Sequence, residues 1–279
     1  MRMIGKGFPM CRNPISWARF LARHPEWAKR DRGGVPASNV SLAFPEVVDY
    51  WLSLIREALD YGIDGFQLHL NRSFPYVLYE EPTVRSFMER YGEDPRTLPD
   101  EHPRWIEHNR AYLTAFIRAV SALVKGEYAK PLAVTVNKPP VGPAQLAYDI
   151  NCAPDLETWL REDLVDIVVP NPRVTAEQVR QWKAWSGGKV SVWADLQPRT
   201  QPGEAYVKLA REYYGFGVDG YALWDGERRM PRMSEWAVLR KLGHIDHLDP
   251  LEAEAERYYR RVPLRYLDGL SARYSYEDG

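Results

Sequence analysis

A phrase written twice constrains this chain more than anything else in it: YGIDGFQLHLNR at 61–72 and FGVDGYALWD at 216–225. Each copy follows an amphipathic stretch, turns through a glycine and enters a short strand of alternating large residues. Polar side chains then fall where the strand should run out: His69, Asn71 and Arg72 in the first copy, Asp225 in the second. Helix, glycine cap, strand and polar rim make the repeating unit of an α/β barrel, which builds its active site at the C-terminal ends of its strands. The copies are offset by 155 residues. Spread over four strand–helix units, that is about 39 residues each, a usual size for such barrels.

The rest of the chain supplies further units. Pro45 and Glu46 open a helix in which Val47, Tyr50, Trp51, Leu54, Ile55, Ala58 and Leu59 recur at helical spacing, and Gly62 ends it. Further helices are predicted at Trp17–His24, Thr83–Tyr91, Arg104–Lys125, Asp155–Glu162, Ala176–Trp185 (with Thr175 as N-cap) and Gly203–Tyr214. Ser234 should cap one more. Strands are predicted at Ile4–Phe8, Gly65–Asn71, Pro131–Asn137, Val165–Pro170, Lys189–Leu196 and Gly220–Trp224, while Lys29–Asn39 reads as a polar loop. Continuous apolar strands alternating with helices indicate a parallel sheet. No Gly-x-Gly-x-x-Gly turn follows any strand, so a dinucleotide-binding fold has no fingerprint. The expected fold is a (β/α)8 barrel over residues 1–243, with a charged C-terminal extension, 244–279, on or beside it.

Composition narrows the function classes. A formal net charge of -1 argues against nucleic acid or an anionic membrane as the main partner. No apolar run approaches the roughly 20 residues of a membrane span, and the start MRMIGKGFPM lacks a signal-peptide core. A cytoplasmic protein is expected from the sequence as written. Two cysteines, Cys11 and Cys152, give neither a disulfide framework nor zinc-ligand spacing. His244 and His247 are close in sequence but lie in a charged tail, so no metal or cofactor is expected. Ten Trp and seventeen Tyr suit either a core of large side chains or a cleft lined with flat rings that match the C–H faces of sugars.

The runs RHPEW (23–27), FPEVVDYWLSLIREALDYGIDGFQLHLNR (44–72) and YVLYEEPTVRSFMERYGEDPRTL (76–98) resemble a family of glycosyl-hydrolase-like barrels related to glycoside hydrolase family ten. The resemblance covers most of the chain from about Arg23 to Gly243. It implies that Ile4–Phe8 is the third barrel strand and that strands one and two are absent, from a longer reading frame or because another chain covers the gap. Open strand edges are normally covered, so a homo-oligomer or a partner chain is an expectation too. The resemblance also implies a carbohydrate substrate. Many relatives carry Asp where this chain has His69, so no catalytic carboxylate can be assigned there.

Glycoside hydrolysis needs two carboxyl groups, roughly 5–5.5 Å apart for retention and roughly 6.5–9.5 Å for inversion. Asp195, in VWADLQPR, follows the penultimate strand, where many related glycosidases keep their nucleophile. Asp225, in LWDGERR, follows the last strand, and Glu80 and Glu81 lie in the long connection after the first copy of the phrase. Each has a plain structural alternative: Asp225 as a turn residue before a glycine, the glutamates as helix N-terminal charges, Asp195 as a salt-bridge partner of Arg199. Asp64 and Asp219 belong to the opposite, stability face. His69, Asn71, Arg72, Asn137, Lys138, Asn171, Trp193 and Trp224 close the strands and would suit a hydroxyl-rich ligand, though the two tryptophans fit core packing equally well. The main expectation is a glycoside hydrolase acting on a poly- or oligosaccharide. A non-catalytic or degenerate carbohydrate-binding barrel competes with it, and a lyase or isomerase with His69 or Lys138 as base stands third.

Overall fold

The computed structural model describes residues 3–7, 22–70, 75–137, 154–171, 173–196, 203–222 and 241–248. The described residues form eight strands: β1 (Met3–Gly7), β2 (Ala28–Arg30), β3 (Pro36–Val40), β4 (Gly65–His69), β5 (Leu132–Asn137), β6 (Ile167–Asn171), β7 (Ser191–Asp195) and β8 (Gly220–Ala222). Among the same residues are the α-helices α1 (Pro45–Asp60), α2 (Glu81–Tyr91), α3 (Pro103–Ser121), α4 (Leu156–Arg161), α5 (Ala176–Trp185) and α6 (Gly203–Gly215). The sheet order is β1–β4–β5–β6–β7–β8, sequence order apart from the small β2–β3 pair. The pairs β1–β4, β4–β5 and β7–β8 are parallel. Alternation of strand and helix in this order is the (β/α)8 type.

By backbone contacts the chain forms two compact units, Met1–Val168 with Trp185–Val190, and Val169–Ala184 with Ser191–Gly279. In the first unit α1 buries Val47, Trp51, Ile55, Ala58 and Leu59, five of the seven positions predicted from its spacing; Leu54 is half-buried and Tyr50 exposed. Burying an aliphatic side chain of this size stabilises by about 1.5–3 kcal/mol, so Ile55→Asp would remove the helix's hold on the sheet. The helix ends at Gly62, whose φ of +75° suits a residue without a Cβ. Helix α3 buries Trp105, Leu113, Phe116, Ile117 and Val120 and closes in a π-helical stretch, Ala122–Glu127. Trp159 of α4 is fully buried, and its indole N–H donates to Thr114 Oγ1 at 3.0 Å, which satisfies the one polar atom of a large apolar residue.

In the second unit the turn after α6 passes through Gly217, φ +87°, so both copies of the repeated phrase turn through a left-handed glycine. Asp219 N–H then donates to Val192 O, while Asp219 Oδ2 accepts from Val192 N–H at 2.9 Å. Asp166 repeats this latch within the first unit, exchanging the same two hydrogen bonds with Leu132. These aspartates secure the N-terminal ends of strands. Among the described residues, no helix is long and apolar enough to cross a membrane.

Lys29–Asn39 is not an irregular loop: Ala28–Arg30 and Pro36–Val40 pair antiparallel around a turn in which Asp31 Oδ1 accepts from Val35 N–H. The segment lacks apolar alternation because its side chains pin other segments instead of covering a core. Arg32 donates to Arg96 O, Leu98 O, the Tyr79 hydroxyl and Asp100 Oδ1. The predicted helix Trp17–His24 lies almost wholly outside the described residues, and the Ser234 cap and most of the 244–279 extension lie outside them as well.

Candidate functional site

Strand alternation decides which side chains can reach the open ends of the strands. On β4 Phe66 and Leu68 are buried on one face, while Gln67 and His69 share the other. In register His69 pairs with Thr135 of β5 and Gln67 with Ala133. Gln67 Nε2 donates to Thr135 Oγ1 at 2.7 Å, so this polar row is cross-linked between strands. Burial pushes the His69 imidazole down to about 4, which keeps it neutral near pH 7. It offers hydrogen bonds without charge. Asn137 is the last residue of β5, half-buried. Asn71, Arg72 and Lys138 lie outside the described residues.

The second unit carries the carboxylate. Asp195 is the last residue of β7 and only 2% exposed. Asn171, the last residue of β6, donates from Nδ2 to Asp195 Oδ2 at 2.5 Å. Val192 and Ala194 are buried on the opposite face of β7, so Trp193, half-buried, shares Asp195's face. The Asn171 amide nitrogen can only donate, so Asp195 Oδ2 is the accepting oxygen of this pair. Asp225 and Trp224 lie outside the described residues, as does Arg199.

Glu80 and Glu81 sit differently. Glu80 is fully buried in the first unit. Its Oε1 accepts from Arg30 N–H, and its Oε2 accepts from Leu78 N–H and the Thr83 hydroxyl. Burial raises its carboxyl above the usual range against the pull of those hydrogen bonds. Both oxygens are thus engaged in joining the β2–β3 hairpin to the start of α2. Glu81 is exposed and pairs with Arg85 one turn on.

Lys29 was not singled out from the sequence. Its ammonium is buried, donates to Pro75 O and lies in the field of Glu80. Desolvation pulls it down to about 8 against the opposing influence of Glu80. Tyr76 donates its hydroxyl to Leu70 O at 2.8 Å. Lys29 and Tyr76 together therefore anchor residues 70 and 75, the two ends of the connection leaving β4. A basic residue inside the PEWAKR run was the available sequence signal; its partner 46 residues away was not visible. Among the described residues no group of three His, Cys, Asp or Glu side chains is arranged to hold a metal ion.

Among curated proteins, none matches the sequence significantly. The catalytic domain of a β-amylase from Paenibacillus polymyxa superposes with a TM-score of 0.53 at 12% identity, over 81% of this chain and 76% of that domain. An α-galactosidase from Thermus thermophilus gives a TM-score of 0.43 at 14% identity, over 86% of this chain and 47% of that one. An archaeal fructose 1,6-bisphosphate aldolase gives 0.35 at 15%, over 70% and 61%. This chain thus spans less than two thirds of the galactosidase and aldolase chains. Of the three, only the amylase domain is similar enough to establish a shared fold, the TIM barrel. A sequence model of the glycosyl hydrolase-like 10 family matches residues 11–191. With well over half the chain inside that match, the protein belongs to the glycosyl hydrolase-like 10 family.

Proposed function

We propose that the protein is a glycoside hydrolase that cleaves a poly- or oligosaccharide at the C-terminal ends of its barrel strands. One observation carries the reading. Asp195 is a buried carboxylate at the very end of β7, held by the side chain that ends the neighbouring strand. An ionisable group in such a place is costly to bury without a partner and a task. In this reading Asp195 serves as the nucleophile or base of the pair that glycoside hydrolysis requires. Glu80 and Glu81 are engaged structurally, so the proton donor in this reading is Asp225, three residues beyond the end of β8 in the chain.

The family assignment and the shared barrel support this reading. His69 and Asn137 in the first unit and Asn171 in the second are candidate sugar-binding groups by their places at strand ends, and Asn71, Arg72, Lys138 and Trp224 are candidates from the sequence. The test is Asp195→Asn measured on a panel of glycans. Hydrolysis should fall by about 10³-fold with sugar binding retained, as expected when one group of an acid–base pair is removed. A variant as active as wild type would sink the assignment.

A second reading has its own observation. Strand β4 ends in His69, so no carboxylate closes it. A barrel with a single acid would bind glycans without cleaving them. Wild-type protein that binds glycans yet releases no reducing ends from any of them would establish that reading instead.

A further inference from the structure

The Trp193 indole lies across the neighbouring strand. In the parallel register of the last two strands, Trp193 is the partner of Gly220, and Asp195 is the partner of Ala222. A Cβ at position 220 would sit 3.0 Å from Trp193 Cδ1, 3.0 Å from Nε1 and 3.3 Å from Cε2. Carbon atoms in good contact lie about 3.5–4.0 Å apart, and a fused ring cannot bend aside as a flexible side-chain end can. Gly220 is not among the glycines of positive φ, so its backbone does not demand a glycine. Room for the indole does. A glycine inside a strand is otherwise a weakness, often marking the close approach of another group.

The ring that uses this room shares a strand face with Asp195, two residues on. It is half-buried, so part of the residue remains accessible. We propose that Gly220 is a positioning residue: by carrying no side chain it lets Trp193 lie across β8 as the platform on which a pyranose ring stacks next to Asp195. The inference rests on the glycoside hydrolase reading and narrows its substrate class. Pyranoses with mostly equatorial hydroxyls carry axial C–H groups on their faces, and these suit a flat aromatic surface. Gluco- and xylo-configured chains fit that description.

The test is a double-mutant cycle on Gly220→Ala and Trp193→Ala, read by calorimetric binding of cellohexaose and xylohexaose and by thermal unfolding. Each single variant should weaken binding tenfold or more, and adding Gly220→Ala to Trp193→Ala should weaken it no further. In unfolding, Gly220→Ala should lower Tm by roughly 3 °C or more, as overpacking does in a protein of this size. In the Trp193→Ala background it should leave Tm unchanged or raise it, since alanine is ordinarily better than glycine in a strand. The change of sign keeps the test decisive even if the single variant folds poorly. Wild-type-like binding by Gly220→Ala, or equal losses in both backgrounds, overturns the inference while leaving the Asp195 assignment intact. Wild-type protein that binds neither hexasaccharide overturns the platform, whatever Asp195→Asn does to hydrolysis.

Discussion

His69 and Lys29 are basic side chains that burial has made reluctant to hold a proton, and each ties the stability of the first unit to pH. His69 is pushed from an ordinary 6.5 to about 4. The folded protein resists protonating it, so its contribution is complete above pH 6.5, drains away as pH falls from 6.5 to about 4, and is gone below that. The full difference is at most about 3 kcal/mol. His69→Gln should therefore lose less stability than wild type between pH 7.5 and 4.5, measured by urea midpoints; parallel losses would refute the linkage. Lys29 is charged at neutral pH despite its burial, and Glu80 is the charge that offsets it. Glu80→Ala leaves that ammonium buried without its counter-charge and should cost about 3–5 kcal/mol in urea unfolding. A cost under 1 kcal/mol would mean that the backbone contacts of Lys29 suffice. The same substitution tests whether Glu80 is structural, because a catalytic acid could be removed with little loss of stability.

At the scale of elements, the aspartate before a strand is the recurring device. Ile63-Asp64-Gly65, Val165-Asp166-Ile167 and Val218-Asp219-Gly220 stand at the entries to β4, β6 and β8. Asp166 and Asp219 each exchange a main-chain and a side-chain hydrogen bond with the first residues of the preceding strand. Asp219 also pairs with Lys183 of α5 at 2.8 Å. Asp219→Ala should cost about 1–2 kcal/mol, the worth of a charge-assisted bond to a backbone N–H, without altering glycan binding. A larger effect on binding than on stability would show that this end of the strands reaches the site. The sequence assigned Asp64 and Asp219 to the stability face, and the hydrogen bonds of Asp219 explain why that side of the sheet needs acids. The β2–β3 hairpin is the contrasting case. Its first strand carries Lys29 and Arg30, and its turn Arg32, where a half-buried strand would alternate apolar residues, so period-two reasoning had nothing to detect.

At the scale of the whole molecule, most elements were legible because each buries a continuous apolar face against a sheet. The stripe of α1, the run LAVTVN of β5 and the Thr175 start of α5, where Thr175 Oγ1 accepts from Gln178 N–H, each carry a local signature. The polar residues that end strands were legible too: His69, Asn137, Asn171 and Asp195 are the last residues of β4, β5, β6 and β7. Periodicity and capping act over a few residues, so the order of strands and helices, and with it the barrel type, could be read from the sequence alone. Which carboxylates remain available for chemistry could not. Glu80 is engaged by Arg30 across 50 residues, Asp195 is held by Asn171 across 24, and Trp193 finds its room over Gly220 on another strand. Only the tertiary structure decided these, because a side chain's partners depend on which strands lie side by side, and that juxtaposition exists only once distant segments have packed.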